Sequence, residues 1–218
     1  MKISKFILIL IVILPLNSFC QFRAKMINIV NGKETNYDVY SGLKQYRYDF
    51  VEDGMKGVVI VNPEANQTAV LFPEKKFVHK TTCDGMMSRM NDPVQSYMWY
   101  KKYGEEKPAG SEDINGYACV KKDLYQGDSK VFTIWYSEKL DFPLKILNNF
   151  AENTYMELKD IESWNPQSSY FVIPEDYTEV DEQMRPVIPE PPAPESWEVK
   201  EIAIPFEDTF SRGTELKI

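Results

Sequence analysis

Histidine is almost missing from this 218-residue chain: His79 stands alone, and cysteine occurs three times, at Cys20, Cys83 and Cys119. Any mechanism with a histidine base has one residue to draw on, and no G-x-S-x-G nucleophile elbow is present, so the chain gives no support to a serine triad. A zinc site needs three or four ligands in recognisable clusters, and His79 and Cys83 have no further histidine to join them. Positive charge is also short: 25 Lys and Arg against 33 Asp and Glu leave a net charge of -8. That balance opposes nucleic-acid binding, which relies on Lys and Arg at phosphates, and adhesion to anionic membrane surfaces. Beyond residue 20 no segment has the roughly 20 apolar residues of a membrane span. The glycines of "EDGMKG" lack the lysine spacing and the strand-to-helix setting of a phosphate loop. Neither a cofactor nor a metal is expected.

What is present starts with an address. "MKISKFILILIVILPLNSFC" sets Lys2 and Lys5 before an apolar run from Phe6 to about Leu16, with Ser18 and Cys20 at minus three and minus one before Gln21. This is the layout of a secretory signal peptide, cleaved after Cys20. The rival reading makes Cys20 the lipidated first residue of an outer-membrane lipoprotein, but Phe19 stands where a lipobox needs a small residue. The expectation is an exported chain, periplasmic or secreted, of 198 residues and, with two lysines gone, a net charge of -10. That length suits one core and an appendage.

The mature chain is dominated by short aromatic and β-branched runs separated by turn signals. Strands are predicted at 22–30, 36–40, 45–51, 56–61, 67–72 and 76–81, punctuated by Asn31-Gly32, Asp53-Gly54, Asn62-Pro63 and Pro73-Glu74. A second series is predicted at 116–125, 130–137, 144–149, 154–163 and 170–173. Strands so close in sequence should pair antiparallel, as a meander.

One segment breaks the pattern. Met87, Met90, Val94 and Tyr97 recur at helical spacing within residues 85–103, with Pro93 marking a kink or a break between two short helices. Met86, Met87, Met90 and Met98 gather there, either as gap filler against the sheet or as an adaptable lid over an apolar cavity. The acidic Glu105, Glu106, Glu112 and Asp113 are read as solvated loop charge. Carboxylates are plentiful enough for a glycosidase pair, but spacing in sequence does not single one out. After residue 184 the composition shifts to "RPVIPEPPAPESWE", favouring an extended polyproline stretch. Within 195–218, "WEVKEIAIPF" reads as an added edge strand, a partner-binding peptide or a loose tail. The domains expected are thus 1–20, 21–184 and 185–218.

Four pieces carry a family resemblance: "AVLFPEKKFVHK" (69–80), "EDINGYACVKK" (112–122), "IWYSEKLDFPLKI" (134–146) and "YFVIPEDY" (170–177). In order and spacing the chain resembles the DUF4412 family of bacterial envelope proteins, related in fold to the LolA and LolB carriers. The resemblance spans about residues 22–180. It implies a mainly β fold: a strongly curved antiparallel sheet, an unclosed half barrel, with a helical lid over an apolar cavity. By the same resemblance the ligand is lipid-like, a lipid or a lipid-modified protein. Trp135, Tyr136, Phe142, Leu144 and Ile146 are then candidate wall residues, with Met87, Met90 and Met98 from the helical segment. Each of these is equally at home in an ordinary core.

The function expected is non-catalytic binding of a hydrophobic ligand in the cell envelope. The alternative is a structural or interaction protein that docks a partner through a sheet edge or its C-terminal tail. In an oxidising compartment the remaining pair, Cys83 and Cys119, invites a disulfide, worth about 4 kcal/mol in the chain-entropy model. The other reading, from the family, makes Cys119 a core residue of its strand.

Overall fold

Alternating burial along short β-rich runs makes most of this chain half-buried strand. The computed structural model describes residues 21–52 and 54–188. The first run of strands is β1 (Phe22–Val30), β2 (Lys33–Ser41), β3 (Tyr46–Glu52), β4 (Met55–Asn62), β5 (Gln67–Phe72) and β6 (Phe77–Thr81). Two helices follow, α1 (Met86–Asn91) and α2 (Pro93–Tyr103). Then come β7 (Glu105–Ile114), β8 (Tyr117–Gln126), β9 (Ser129–Ser137), β10 (Phe142–Asn148) and β11 (Tyr155–Ser163), and lastly β12 (Thr178–Val180). The chain divides into two compact units, residues 1–187 and 188–218, and all these elements belong to the first. The signal segment and the "WEVKEIAIPF" stretch lie outside the described residues.

Local turn chemistry sets the register. Asn31-Gly32 and Asn115-Gly116 have positive φ at both positions, 51° and 80°, 50° and 85°, the geometry of tight hairpin turns whose twist matches the strands they join. Accordingly Val30 pairs with Lys33 and Ile114 with Tyr117. The two meanders, β1 to β6 and β7 to β11, are joined where β1 pairs antiparallel with β11. The result is one open, curved sheet of twelve strands among the described residues, ordered β12-β6-β5-β4-β3-β2-β1-β11-β10-β9-β8-β7.

One face of the sheet carries the main core. Phe22, Ala24 and Met26 alternate inward on β1, Met156 and Leu158 do so on β11, and Val94 and Tyr97 of α2 close over them. A second, smaller core occupies the opposite face, where Val58, Ile60, Ala69, Leu71 and Val78 meet Phe171. Covering β4 on both faces explains its unbroken apolar run, "GVVIV", where a one-sided strand would alternate.

Three expectations are corrected. Residues 170–173 do not form a strand: a short 3-10 helix, Ser168–Phe171, lays Tyr170 and Phe171 on the second core. A short apolar run does not by itself distinguish strand from helix. The pairing is not antiparallel throughout, because β12 lies parallel to β6, with Thr178 opposite Phe77 and Val180 opposite His79. Residues 82–177, with both helices and β7 to β11, form the long connection that parallel pairing requires. The acidic 105–113 segment is not a loop: it is the greater part of β7, whose charges mark an edge strand.

The helical segment does break at Pro93. Asp92 is extended (φ -128°, ψ 109°) and caps α2, its carboxylate accepting from the N–H of Val94 (2.8 Å) and Gln95 (3.3 Å), with Pro93 in the first turn. An extended residue resets the helical phase, so the predicted face does not run through. Val94 and Tyr97 are buried, whereas Met87 and Met90 are 54% and 75% exposed.

Candidate ligand-binding cleft

The face of α2 at spacing three and four carries Gln95, Met98, Trp99 and Lys102. These side chains line one side of a cleft of about 470 Å³. The β2–β3 and β9–β10 connections line it as well. Its apolar surface includes Val61, Val94, Met98, Trp99, Leu140 and Phe142, and its charged groups are Lys44, Asp84, Lys102 and Asp141.

Both connections are fixed by local bonds. In the first, the Gly42 N–H donates to the Gln45 carbonyl at 2.8 Å. A Cβ on Gly42 would lie 3.0 Å from the Phe171 ring and 3.3 Å from that carbonyl, so glycine lets the connection seat against the second core. In the second, the Leu140 N–H donates to Ser137 Oγ (3.4 Å), Leu140 is buried, and Asp141 takes a positive φ of 50°. The Tyr136 hydroxyl donates to the Asp141 carboxylate, and burial, then that carboxylate, pushes the phenol well above its usual pKa.

Beneath the cleft runs a buried polar chain. The Tyr46 hydroxyl donates to Asp92 Oδ2 at 2.6 Å, Gln95 Nε2 donates to the same oxygen at 3.2 Å, and the Thr68 hydroxyl donates to Gln95 Oε1 at 3.1 Å. Asp92, Gln95 and Thr68 are all buried. Burial raises the Asp92 carboxyl pKa even though four hydrogen bonds oppose it. The chain pins α2 to β3 and β5. Midway along α2 the Tyr97 hydroxyl donates to Glu106 Oε1 at 2.6 Å, tying the helix to β7. Burial alone would raise Glu106, but that bond and the charges of Lys101 and Lys122 hold it low.

The residues named from sequence are placed as follows. Met98, Tyr136 and Phe142 line the cleft, together with Cys83. Leu144 and Ile146 are fully or nearly fully buried in the main core. Strand alternation turns Trp135 to the face opposite Tyr136, where its indole N–H donates to Glu112 (2.7 Å) and Lys121 and Lys145 sit 4.7 and 5.3 Å from its ring centre. Met87 and Met90 lie on the exposed side of α1, away from the cleft lining.

The Cys83–Cys119 bridge is not formed: both are free thiols. Cys83 Sγ donates to the Asn62 carbonyl (3.7 Å) before α1, whereas Cys119 Sγ donates to the Tyr117 carbonyl (3.4 Å) within β8. Burial raises both thiol pKa values, so neither is poised as a thiolate nucleophile. Among the described residues no group of three or more His, Cys, Asp or Glu side chains is placed to hold a metal ion. No described helix is long and apolar enough to cross a membrane.

Sequence reasoning missed Gly42, Leu43, Lys44, Trp99, Lys102 and Leu140. Trp99 and Lys102 were recoverable: both follow from restarting the helical phase at Asp92. The connection residues carry no such signal, because their convergence depends on which strands become neighbours.

No family model matches the chain, and no curated protein matches it, so the DUF4412 resemblance rests on the four sequence pieces. Among solved structures, an uncharacterized conserved protein from Thermus thermophilus is similar over 75% of this chain and 91% of its own, at 10% identity and a TM-score of 0.50. MucB is similar at a TM-score of 0.47 and 12% identity, over 72% of this chain and 58% of its own length. A LolA superfamily protein from Nitrosomonas europaea is similar at 0.40 and 9%, over 71% and 91%. The last two stand as likenesses only; the first marks a shared fold, that of a mainly β chain built on an open, curved sheet with two helices.

Proposed function

We propose that this chain is a non-catalytic envelope protein that holds a hydrophobic ligand, a lipid or the acyl group of a lipid-modified protein, in the cleft between α2 and the sheet. The cleft carries the reading. Its volume of about 470 Å³ falls within the roughly 300–1,000 Å³ of small-molecule sites, and it combines apolar walls with a few polar groups. Leu43 and Met98 are 60% and 49% exposed in this lining, so a ligand that covered them would remove apolar surface from water. The buried Asp92 chain supports the same reading, since it holds α2 in place over the sheet without filling the cleft.

The leader-like first twenty residues support export as part of this reading and supply the compartment. The alternative of docking through a sheet edge finds less support. β7 presents Glu105, Lys107, Glu112 and Asp113 with Pro108 and a register shift between Pro108 and Gly110, devices that keep a strand from being extended by another chain.

The test is mass spectrometry of the native protein purified without detergent, before and after incubation with laurate. A bound chain, one per protein, is expected. Absence of any bound lipid in repeated preparations, together with no uptake of laurate, would contradict the reading.

A further inference from the structure

We infer that the ligand is a single-chain amphiphile with an anionic head, its chain in the cleft and its carboxylate or phosphate held beside Lys102 and Arg89. This rests on the binding reading above and narrows it to one ligand class.

Size sets the number of chains. If a methylene takes about the 30 Å³ that a water occupies in the liquid, 470 Å³ accommodates roughly 15 of them. That is the size of one acyl chain.

Charge sets the head. Of the charged groups at the cleft, Lys44 is already paired with Glu64 at 2.6 Å. Asp141 accepts from Tyr136. Asp84 is hydrogen-bonded by Thr82 and Asn66, and these bonds, with the nearby Lys102 charge, hold its carboxyl below the usual range. Lys102 is different: among the described residues its ammonium forms no ion pair within 4 Å, with the Tyr103 ring 5.4 Å away and the Asp84 charge near enough to be felt. Its nearest competitor for an anion is therefore Asp84.

A second cation stands nearby in the same condition. The Arg89 guanidinium lies 4.1 Å from the centre of the Trp99 ring, which lines the cleft one helical turn before Lys102. Its Nε is buried without an acceptor, and no described carboxylate pairs with it. A buried guanidinium donor without an acceptor is costly, and an anionic oxygen that displaced Trp99 from it would satisfy it. Lys102 lines the cleft and Arg89 stands behind Trp99, outside that lining; in a chain whose net charge is -8, the pair makes a local anion site rather than a general affinity for acidic surfaces.

The test is calorimetric titration with four probes that share a twelve-carbon chain: laurate, dodecyl phosphate, glycerol monolaurate and dodecyltrimethylammonium, each below its micelle concentration. The two anions are expected to bind about tenfold more tightly than the neutral ester, and the cation most weakly. Lys102→Gln, at an exposed position, should remove several-fold of that preference, read as the ratio of laurate to ester affinity in the same variant. Lys102→Gln with Arg89→Gln should abolish it, and Asp84→Asn should strengthen it. Equal affinity for anionic and neutral heads would overturn the head-group inference and leave the cleft reading standing. Binding of none of the four would overturn both. Binding of inorganic phosphate as tight as dodecyl phosphate would overturn the amphiphile and leave only an anion site.

Discussion

Asp92 concentrates the chemistry of the helix attachment in one side chain. It caps α2, accepts from the Tyr46 hydroxyl and Gln95 Nε2, and is buried with no cationic partner among the described residues. Burial raises its folded pKa above the unfolded value near 4, so between the two the native state keeps a proton that the unfolded chain releases. The stability from this group is therefore full below about pH 4 and is lost as pH rises through the raised value. Asp92→Asn, neutral throughout, should flatten that dependence: wild type gains on the variant as pH falls from 7 to 4 in urea midpoints. Parallel profiles would contradict the assignment. Asp92→Ala should cost about 2–4 kcal/mol near pH 4, since it removes the cap and strands two buried donors, and less as pH rises. At this scale the sequence was partly readable. Methionine abundance marked the helical segment, but only Met98 faces the cleft, because one extended residue re-phases the helix and leaves Met87 and Met90 in solvent.

Among the elements, β7 is the one whose sequence argues for its position. Its alternating charges, its proline and the irregularity before Gly110, with φ of 109°, protect a ten-residue edge. Replacing Lys107 and Glu112 with valine should expose an apolar edge and bring concentration-dependent self-association, seen by light scattering. A variant that stayed monomeric at high concentration would show that charge is not what guards the edge. The hairpins were legible because Asn-Gly turns and β-branched runs act locally. β7 itself was not, since a strand with so much charge reads as loop until its edge position is known. Nor was β12, whose three residues pair with β6, about a hundred positions earlier in sequence, besides a local bridge from Val180 to Pro186.

For the whole molecule, the seam between β1 and β11 makes one domain of two meanders. Phe22 and Met26 from one side and Met156 and Leu158 from the other belong to a single core, so neither meander has a complete core alone. Unfolding should therefore be a single transition, with tryptophan fluorescence and far-UV circular dichroism coinciding, and Met156→Ala, at a fully buried site, should shift both by about 2–5 kcal/mol. Two separated transitions would mean that the meanders fold independently. A meander with an inserted helix was legible from turn spacing and periodicity, the curved sheet and an apolar cavity came only from the family resemblance, and the lining of the cleft was not legible because it arises where connections distant in sequence meet. The central claim, a hydrophobic chain seated between α2 and the sheet, is tested most directly by NMR of protein carrying carbon-13 methionine methyls, titrated with laurate. The account predicts that the Met98 methyl shifts to saturation while those of Met86, Met87 and Met90 stay in place. A stationary Met98, or shifts confined to the outer methionines, would contradict it.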